Sequence, residues 1–263
     1  MTILEEIISY KKREVLKQKK LFPYNYLEKS TFFKNPSKSL VKILKKSDSG
    51  IIAEHKRSSP SKKEINNNIQ INEVIKGYDK AGVCGMSILT DKKFFSGSLK
   101  DLKEARNITK LPILRKDFII DIYQIVEAKA YGADLILLIA AALSNKEIKV
   151  FSDFAKKLNL EVLLEIHSIN ELKNSLTPSI DIVGVNNRNL KTFEVDINIS
   201  KELSDQIPND FIKISESGIN KPSSVVELKK YGYKGFLVGE NFMKTNDPGE
   251  SASRFIKKIE NEN

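Results

Sequence analysis

A chain of 263 residues, 40% of them hydrophobic, can fill one large core in one or two domains, and its single cysteine excludes an internal disulfide. Forty-four Lys and Arg against 34 Asp and Glu leave a net charge of +10. The lysines are spread among acids, as in "NKEIKV" and "ELKKYGYK", so the excess reads first as solvated helix faces and second as a preference for small anions. Aromatic-rich RNA-binding signatures are absent, and no nucleic-acid partner is expected. The longest uncharged apolar run, "LILLIAAAL" at 135–143, is about half a bilayer span, so no membrane partner is expected. The opening "MTILEEIISYKKREVLKQKK" has charges where a signal peptide needs an apolar segment, and the expected location is cytoplasmic. Cys84, within "GVCGMSIL", reads as a packed core thiol. His55 and His167 lack partners at metal-ligand spacing, so neither a metal nor another cofactor is expected.

Along the chain, Ile3, Leu4, Ile7, Ile8 and Val15 recur at helical spacing and predict an amphipathic helix over 3–20. Residues 21–47, broken by Pro23 and Pro36, read as a looser stretch with a short helix near "SLVKILKK". Eight short apolar runs follow: "GIIAE" (50–54), "GMSILT" (85–90), "PILRK" (112–116), "DLILLIA" (134–140), "EVLLEI" (161–166), "DIVGVN" (181–186), "FIKISE" (211–216) and "GFLVGE" (235–240). Between several of them lie stretches of 3.6-residue periodicity such as "INEVIKGYDKAG" and "KPSSVVELKKYGY", some closed by Gly82, Gly132 or Gly232 as helix stops. Alternating strands and helices argue for a parallel sheet, and continuous apolar strands argue that both faces are buried. The expected fold is a single (β/α)8 TIM barrel spanning 1–263, with 1–47 as an N-terminal helical extension packed on it. A doubly wound sheet would want a glycine-rich turn after its first strand; no G-x-G-x-x-G exists, and Gly77 to Gly82 is not followed by the Lys of a P-loop.

Polar residues crowd the ends of these strands. Glu54 and Lys56 end the first, Thr90-Asp91 the second, Lys116-Asp117 the third, Glu165 and His167 the fifth, Asn186 and Arg188 the sixth, Glu216-Ser217 the seventh, and Gly239-Glu240 the eighth. In a barrel these ends meet on one rim, where active sites form. Two lysines among three carboxylates suit acid–base chemistry on an anionic substrate: a cation protonates a carbonyl oxygen, a carboxylate accepts a proton. Repulsion between Lys56 and Lys116 is expected to depress the pKa of at least one, with the glutamates opposing that shift. "SESG" and "VGEN" place small residues before helices, where backbone N–H groups bind phosphate, and Ser59 can add a hydroxyl. An ion-pair cluster without chemistry is the plainer alternative.

The blocks "IIAEHKRSSPSK", "SILTDKKFFSGSLKDL", "LPILRKDFIIDIYQIVEAKAYGADLILLIAAAL", "VLLEIHS", "VGVNNRNLKTFEVD", "ISESGI" and "GFLVGENFM", in this order, resemble the indole-3-glycerol phosphate synthase family of tryptophan biosynthesis, up to about residue 245. The resemblance implies a carboxy-lyase that closes an indole ring on 1-(2-carboxyphenylamino)-1-deoxyribulose 5-phosphate with loss of CO2 and water. It implies Lys116 as general acid, Glu165 as general base or proton partner in the dehydration, and Lys56 as a partner of the substrate carboxylate that shares the acid role. Glu54 and Glu216 would orient the lysines and substrate hydroxyls, with Asn186 and Arg188 as a polar clamp. Ser59, Ser217, Gly218, Gly239 and Glu240 would cradle the phosphate; Phe95, Phe118, Leu137, Leu190 and Leu237 would line the aryl pocket. His55, where the family usually has an apolar or aromatic residue, is expected to face the helices, and His167 to be a polar strand-end residue. The implied partner is a small phosphorylated substrate, and the chain is expected to be a monomer with at most weak association with other enzymes of its pathway. The competing readings are another phosphate-binding barrel, such as a phosphoribosylanthranilate isomerase-like enzyme, and a basic nucleic-acid-binding protein.

Overall fold

A computed structural model describes residues 2–262. All eight predicted strands are present: β1 (Ile51–His55), β2 (Gly85–Leu89), β3 (Ile113–Lys116), β4 (Leu135–Ile139), β5 (Glu161–Ile166), β6 (Ile182–Asn186), β7 (Ile212–Glu216) and β8 (Gly235–Val238). They pair in parallel in chain order, and β8 closes on β1 with Ile51 opposite Phe236 and Ala53 opposite Val238. Closure removes both sheet edges, so backbone donors along the wall are paired without a covering strand.

Alternation along each strand sorts side chains into two apolar layers. Ile51, Ala53, Ile88, Ile113, Val162, Val183 and Phe236 point outward and pack under the surrounding helices. Ile52, Leu114, Leu135, Leu163, Ile182, Ile212 and Ile214 point inward, and the helix Leu40–Leu44 plugs that end of the barrel with Leu40 and Leu44. Cys84 is buried in the same inner layer, donating to the Ser47 hydroxyl at 3.0 Å. Each fully buried Leu or Ile in these layers contributes about 1.5–3 kcal/mol.

The helix expected at 3–20 runs Ile3–Leu21, begun by a capping box in which Thr2 and Glu5 each take the other's backbone N–H. Residues 21–47 hold two short helices, Tyr24–Leu27 and Leu40–Leu44, the second near the expected "SLVKILKK". Gly82, Gly132 and Gly232 follow helices in the left-handed region, with φ of 80°, 90° and 81°.

On the long N-terminal helix, the buried positions Ile7, Lys11 and Val15 recur every four residues. The sequence gives no sign that a lysine belongs in that row. Lys11, 2% exposed, reaches Asp91 at 2.8 Å and Asp117 at 2.9 Å, and so fastens the helix to the ends of β2 and β3. Asp91 also caps the helix Lys92–Phe95 through the Phe94 N–H. The same attachment brings Ile3, Leu4 and Ile7 to the mouth of the barrel.

Candidate active site

At the C-terminal ends of the strands lies a cavity of about 500 Å³. Each of the seventeen residues expected in the site lines it. From the catalytic set these are Glu54, Lys56, Lys116, Glu165, Asn186, Arg188 and Glu216. The phosphate set adds Ser59, Ser217, Gly218, Gly239 and Glu240, and the apolar set adds Phe95, Phe118, Leu137, Leu190 and Leu237.

Lys116 occupies the centre of the polar floor. Its ammonium bonds Glu165 Oε2 at 3.2 Å from β5 and Glu216 Oε2 from β7. Glu54, on β1 and separated from β3 by β2, is bonded by Lys56 at 2.9 Å and by the Ser87 hydroxyl at 3.2 Å. Two inward-facing glycines make the space for these carboxylates. A Cβ at Gly239 would stand 2.6 Å from Glu54 Oε1, and one at Gly184 would collide with Glu216 Oε1.

The electrostatics departs from one expectation. Burial works against the charge of Lys116, but Glu216, Glu165 and Glu54 outweigh it and raise its pKa, so Lys116 is a firmly held cation. The expected depression by a neighbouring lysine is absent there, because three carboxylates stand closer to the ammonium's charge than a second cation can offset. Burial would push Glu165 up, but Lys116, then His167 and Asn186, hold it below the usual carboxylate range. Burial likewise disfavours ionised Glu54, and Lys56 and Lys116 overcome it. Glu216 receives the opposite treatment. Burial, with Glu165 and Glu54 adding repulsion, outweighs Lys116 and pushes it up to about 7. One ammonium is shared by two carboxylates, and Glu216 Oε1 has no hydrogen-bond partner among the described residues.

Around the upper rim, Asn186 Oδ1 accepts the Ser217 hydroxyl at 2.9 Å and the Arg188 N–H at 3.0 Å. Ser217 and Gly218 both lie in the left-handed region, at φ of 66° and 80°, which turns the chain sharply off β7. Backbone N–H groups exposed at such a bend are candidates to bind an anion. Across the rim, Lys62 bonds Glu240 at 3.1 Å. Burial raises Glu240, but Lys62, Lys56 and Arg188 together bring its pKa down, so this end of the cavity is cationic apart from that one carboxylate. The loop from β1 lies beside it, with Asn66 donating to the Met243 and Thr245 carbonyls at 3.0 and 3.2 Å. The apolar side includes the Phe95 and Phe118 rings, 5.9 Å apart and tilted by 41°.

Some strand-end residues do not join this cavity's chemistry. The side chains of Thr90, Asp91 and Asp117 are turned toward the N-terminal helix, where Thr90 donates to Asp117 at 2.5 Å. His55 faces the helices as alternation requires; burial, then Arg57, pushes it down to about 4. His167 stands behind Glu165 and outside the cavity lining. Sequence reasoning missed Lys11 and the Ile3, Leu4 and Ile7 wall. Among the described residues no three His, Cys, Asp or Glu side chains are grouped to hold a metal ion, and no helix is long and apolar enough to cross a membrane.

This is the plan of a TIM-barrel enzyme whose acids and bases are delivered by the strand ends. A mutant tryptophan synthase α-subunit from Pyrococcus furiosus shares the fold, with a TM-score of 0.61 and 17% identity over 81% of this chain and 98% of that one. The family profile described as indole-3-glycerol phosphate synthase matches residues 4–255. Proteins of that name from Bacteroides thetaiotaomicron and Caldanaerobacter subterraneus subsp. tengcongensis are 48% and 45% identical over 258 residues. These matches cover 98% of this chain and 99% and 98% of theirs. The counterpart from Aquifex aeolicus is 43% identical over 250 residues, 94% of this chain and 96% of its own. The chain belongs to the indole-3-glycerol phosphate synthase family. The isomerase-like reading falls away with that membership.

Proposed function

We propose that the strand-end residues close the indole ring of indole-3-glycerol phosphate on 1-(2-carboxyphenylamino)-1-deoxyribulose 5-phosphate. The observation that carries the assignment is the shared cavity: Lys116, between Glu165 and Glu216, faces the same space as Lys56 and Glu54. The aryl group stacks among Phe95, Phe118, Leu137, Leu190 and Leu237. Its carboxylate meets Lys56, with Asn186 and Arg188 alongside. The phosphate is received at the cationic end by the Ser59 hydroxyl and by the backbone at Ser217, Gly218, Gly239 and Glu240. Held at both ends, the flexible chain is folded for attack, and the remote phosphate supplies binding energy for that folding.

The aryl carbon bearing the carboxylate attacks the ketone, and Lys116 gives its proton to the oxygen on which charge develops. A fixed cation at that point lowers the barrier by about 3–4 kcal/mol. The C–COO⁻ bond then breaks, CO2 leaves, and its electron pair restores the aromatic ring. In the last step Glu165, ionised at neutral pH, takes the proton lost from the adjacent carbon while Lys56 gives a proton to the new hydroxyl, which departs as water; the proton on Glu165 and one from solvent restore the two lysines. Glu54 and Glu216 orient the two lysines. The loop 58–68 closes over the substrate in this scheme; protease nicking there that is no slower with a bound substrate analogue would count against closure. A small phosphorylated substrate and a cytoplasmic setting fit this reading.

The test is direct. Purified protein given the anthranilate-derived ribulotide should produce indole fluorescence and CO2 in equal amounts. Absence of both, with the fold intact by circular dichroism, overturns the proposal.

A further inference from the structure

His167 has no part in the scheme above, yet its surroundings are specific. Its ring lies between two carboxylates. Nε2 is buried, finds no hydrogen-bond partner among the described residues, and stands 3.6 Å from Glu165 Oε1. Nδ1 is 3.4 Å from Glu171 Oε2, an oxygen already fixed by the His167 backbone N–H at 2.7 Å. Of the two oxygens of Glu165, Oε2 faces Lys116 and Oε1 faces His167, with Asn186 also bonding the carboxylate. A helix-start role accounts for the contact with Glu171 in the helix Ile169–Ser175, whose N-cap is Ser168. It does not account for a buried ring nitrogen aimed at the carboxylate on the cavity floor.

We propose that His167 is a positioning residue for Glu165: as an imidazolium held between Glu165 and Glu171, it fixes the carboxylate in place against the pull of Lys116. This inference rests on the reading of Glu165 as the base. The charged groups facing the ring are Glu165 from β5, Glu171 from the following helix and Glu216 from β7, with Lys116 of β3 beyond the two barrel glutamates. Burial works against a charged ring, but Glu171, Glu165 and Glu216 raise its pKa above the ordinary 6.5. The imidazolium is thus favoured to higher pH than in a free histidine and is lost as pH rises through that raised value.

The chain's two histidines make the test simple. In ¹H NMR of the full chain, the His167 ring signal, assigned by its absence in His167→Gln, should titrate above 6.5. Its midpoint should fall in Glu165→Gln and in Glu171→Gln. In kinetics, His167→Gln should lower kcat roughly tenfold with KM within about twofold, because misdirection of a base affects the reacting geometry more than substrate binding. Wild-type kcat should step down as pH rises through the His167 midpoint, and the variant should lack that step. A His167 midpoint unmoved by Glu165→Gln, a wild-type pH profile in His167→Gln, or a loss confined to KM each overturns the proposal. Turnover by Glu165→Gln reports on the base assignment alone, and the ring titration reports on the clamp alone.

Discussion

Asp117 and Glu216 are both buried carboxylates at strand ends, and both face ammonium or guanidinium groups, yet they are held in opposite states. Asp117 Oδ1 takes Lys11 at 2.9 Å and the Phe118 N–H at 2.8 Å; Oδ2 takes Thr90 at 2.5 Å and Arg115 at 3.1 Å. Burial alone would raise it, but Lys11, Arg115 and these donors bring it down to about 2. Glu216 has Lys116 on one oxygen and, among the described residues, no hydrogen-bond partner on the other, and it rises to about 7. Burial is common to both; the number of fixed donors differs. A saturated carboxylate fastens parts of the fold together, whereas an under-served one is left to respond to whatever enters the cavity.

Breaking the saturated cluster should have the largest effect. Lys11→Met leaves Asp91 buried without its cation and Asp117 with Arg115 alone, and stability should fall by about 3–5 kcal/mol in a denaturant titration; a loss below about 1 kcal/mol would show that the cluster relaxes at little cost. In the under-served cluster, Lys116→Ala should keep the fold and lower kcat by at least about a hundredfold. Near-wild-type turnover would remove Lys116 from its assigned role. Glu216→Gln tests the difference itself. As pH rises through about 7, Glu216 gains a negative charge beside an anionic substrate, so wild-type KM should climb, by up to about tenfold, while the variant's KM stays flat. A pH-dependent KM that survives in Glu216→Gln assigns the titration elsewhere. The smallest effect belongs to Lys62→Met. Its pair with Glu240 is 42% and 38% exposed, and stability should change by less than about 1 kcal/mol.

The barrel was legible in the sequence because its signal is repeated: eight apolar runs, each ending in polar residues, leave little choice of topology. The inward set was legible for the same reason. Glu54, Lys116, Glu165, Asn186 and Glu216 each sit at the end of an apolar strand, and the repetition across strands marks a common rim. The outward partners were not legible. Thr90 and Asp91 follow the last residue of β2, and Asp117 that of β3, where strand alternation no longer fixes the side a residue takes. Lys11 was the hardest, since a lysine one turn from Ile7 and Val15 is indistinguishable in sequence from one at the edge of a solvated face. Its burial depends on two aspartates about 80 and 106 positions away, brought together by the pairing of β2 with β3. The pKa of Glu216 was equally out of reach, because it follows from donors counted in three dimensions.

In β3, Arg115 serves the outer layer, where it bonds Glu127 at 2.8 Å and Thr90 at 3.1 Å, and the very next side chain, Lys116, serves the cavity. The strand spans four residues and is paired on both sides, with β2 and β4. One amino acid inserted or deleted within it would deliver a guanidinium to the carboxylates of the floor and strand an ammonium among the helices. Such an indel would keep the chain's hydrophobicity and charge almost unchanged while removing both its attachment and its chemistry. Loop exchange between barrels of this kind should therefore place its joins beyond this segment.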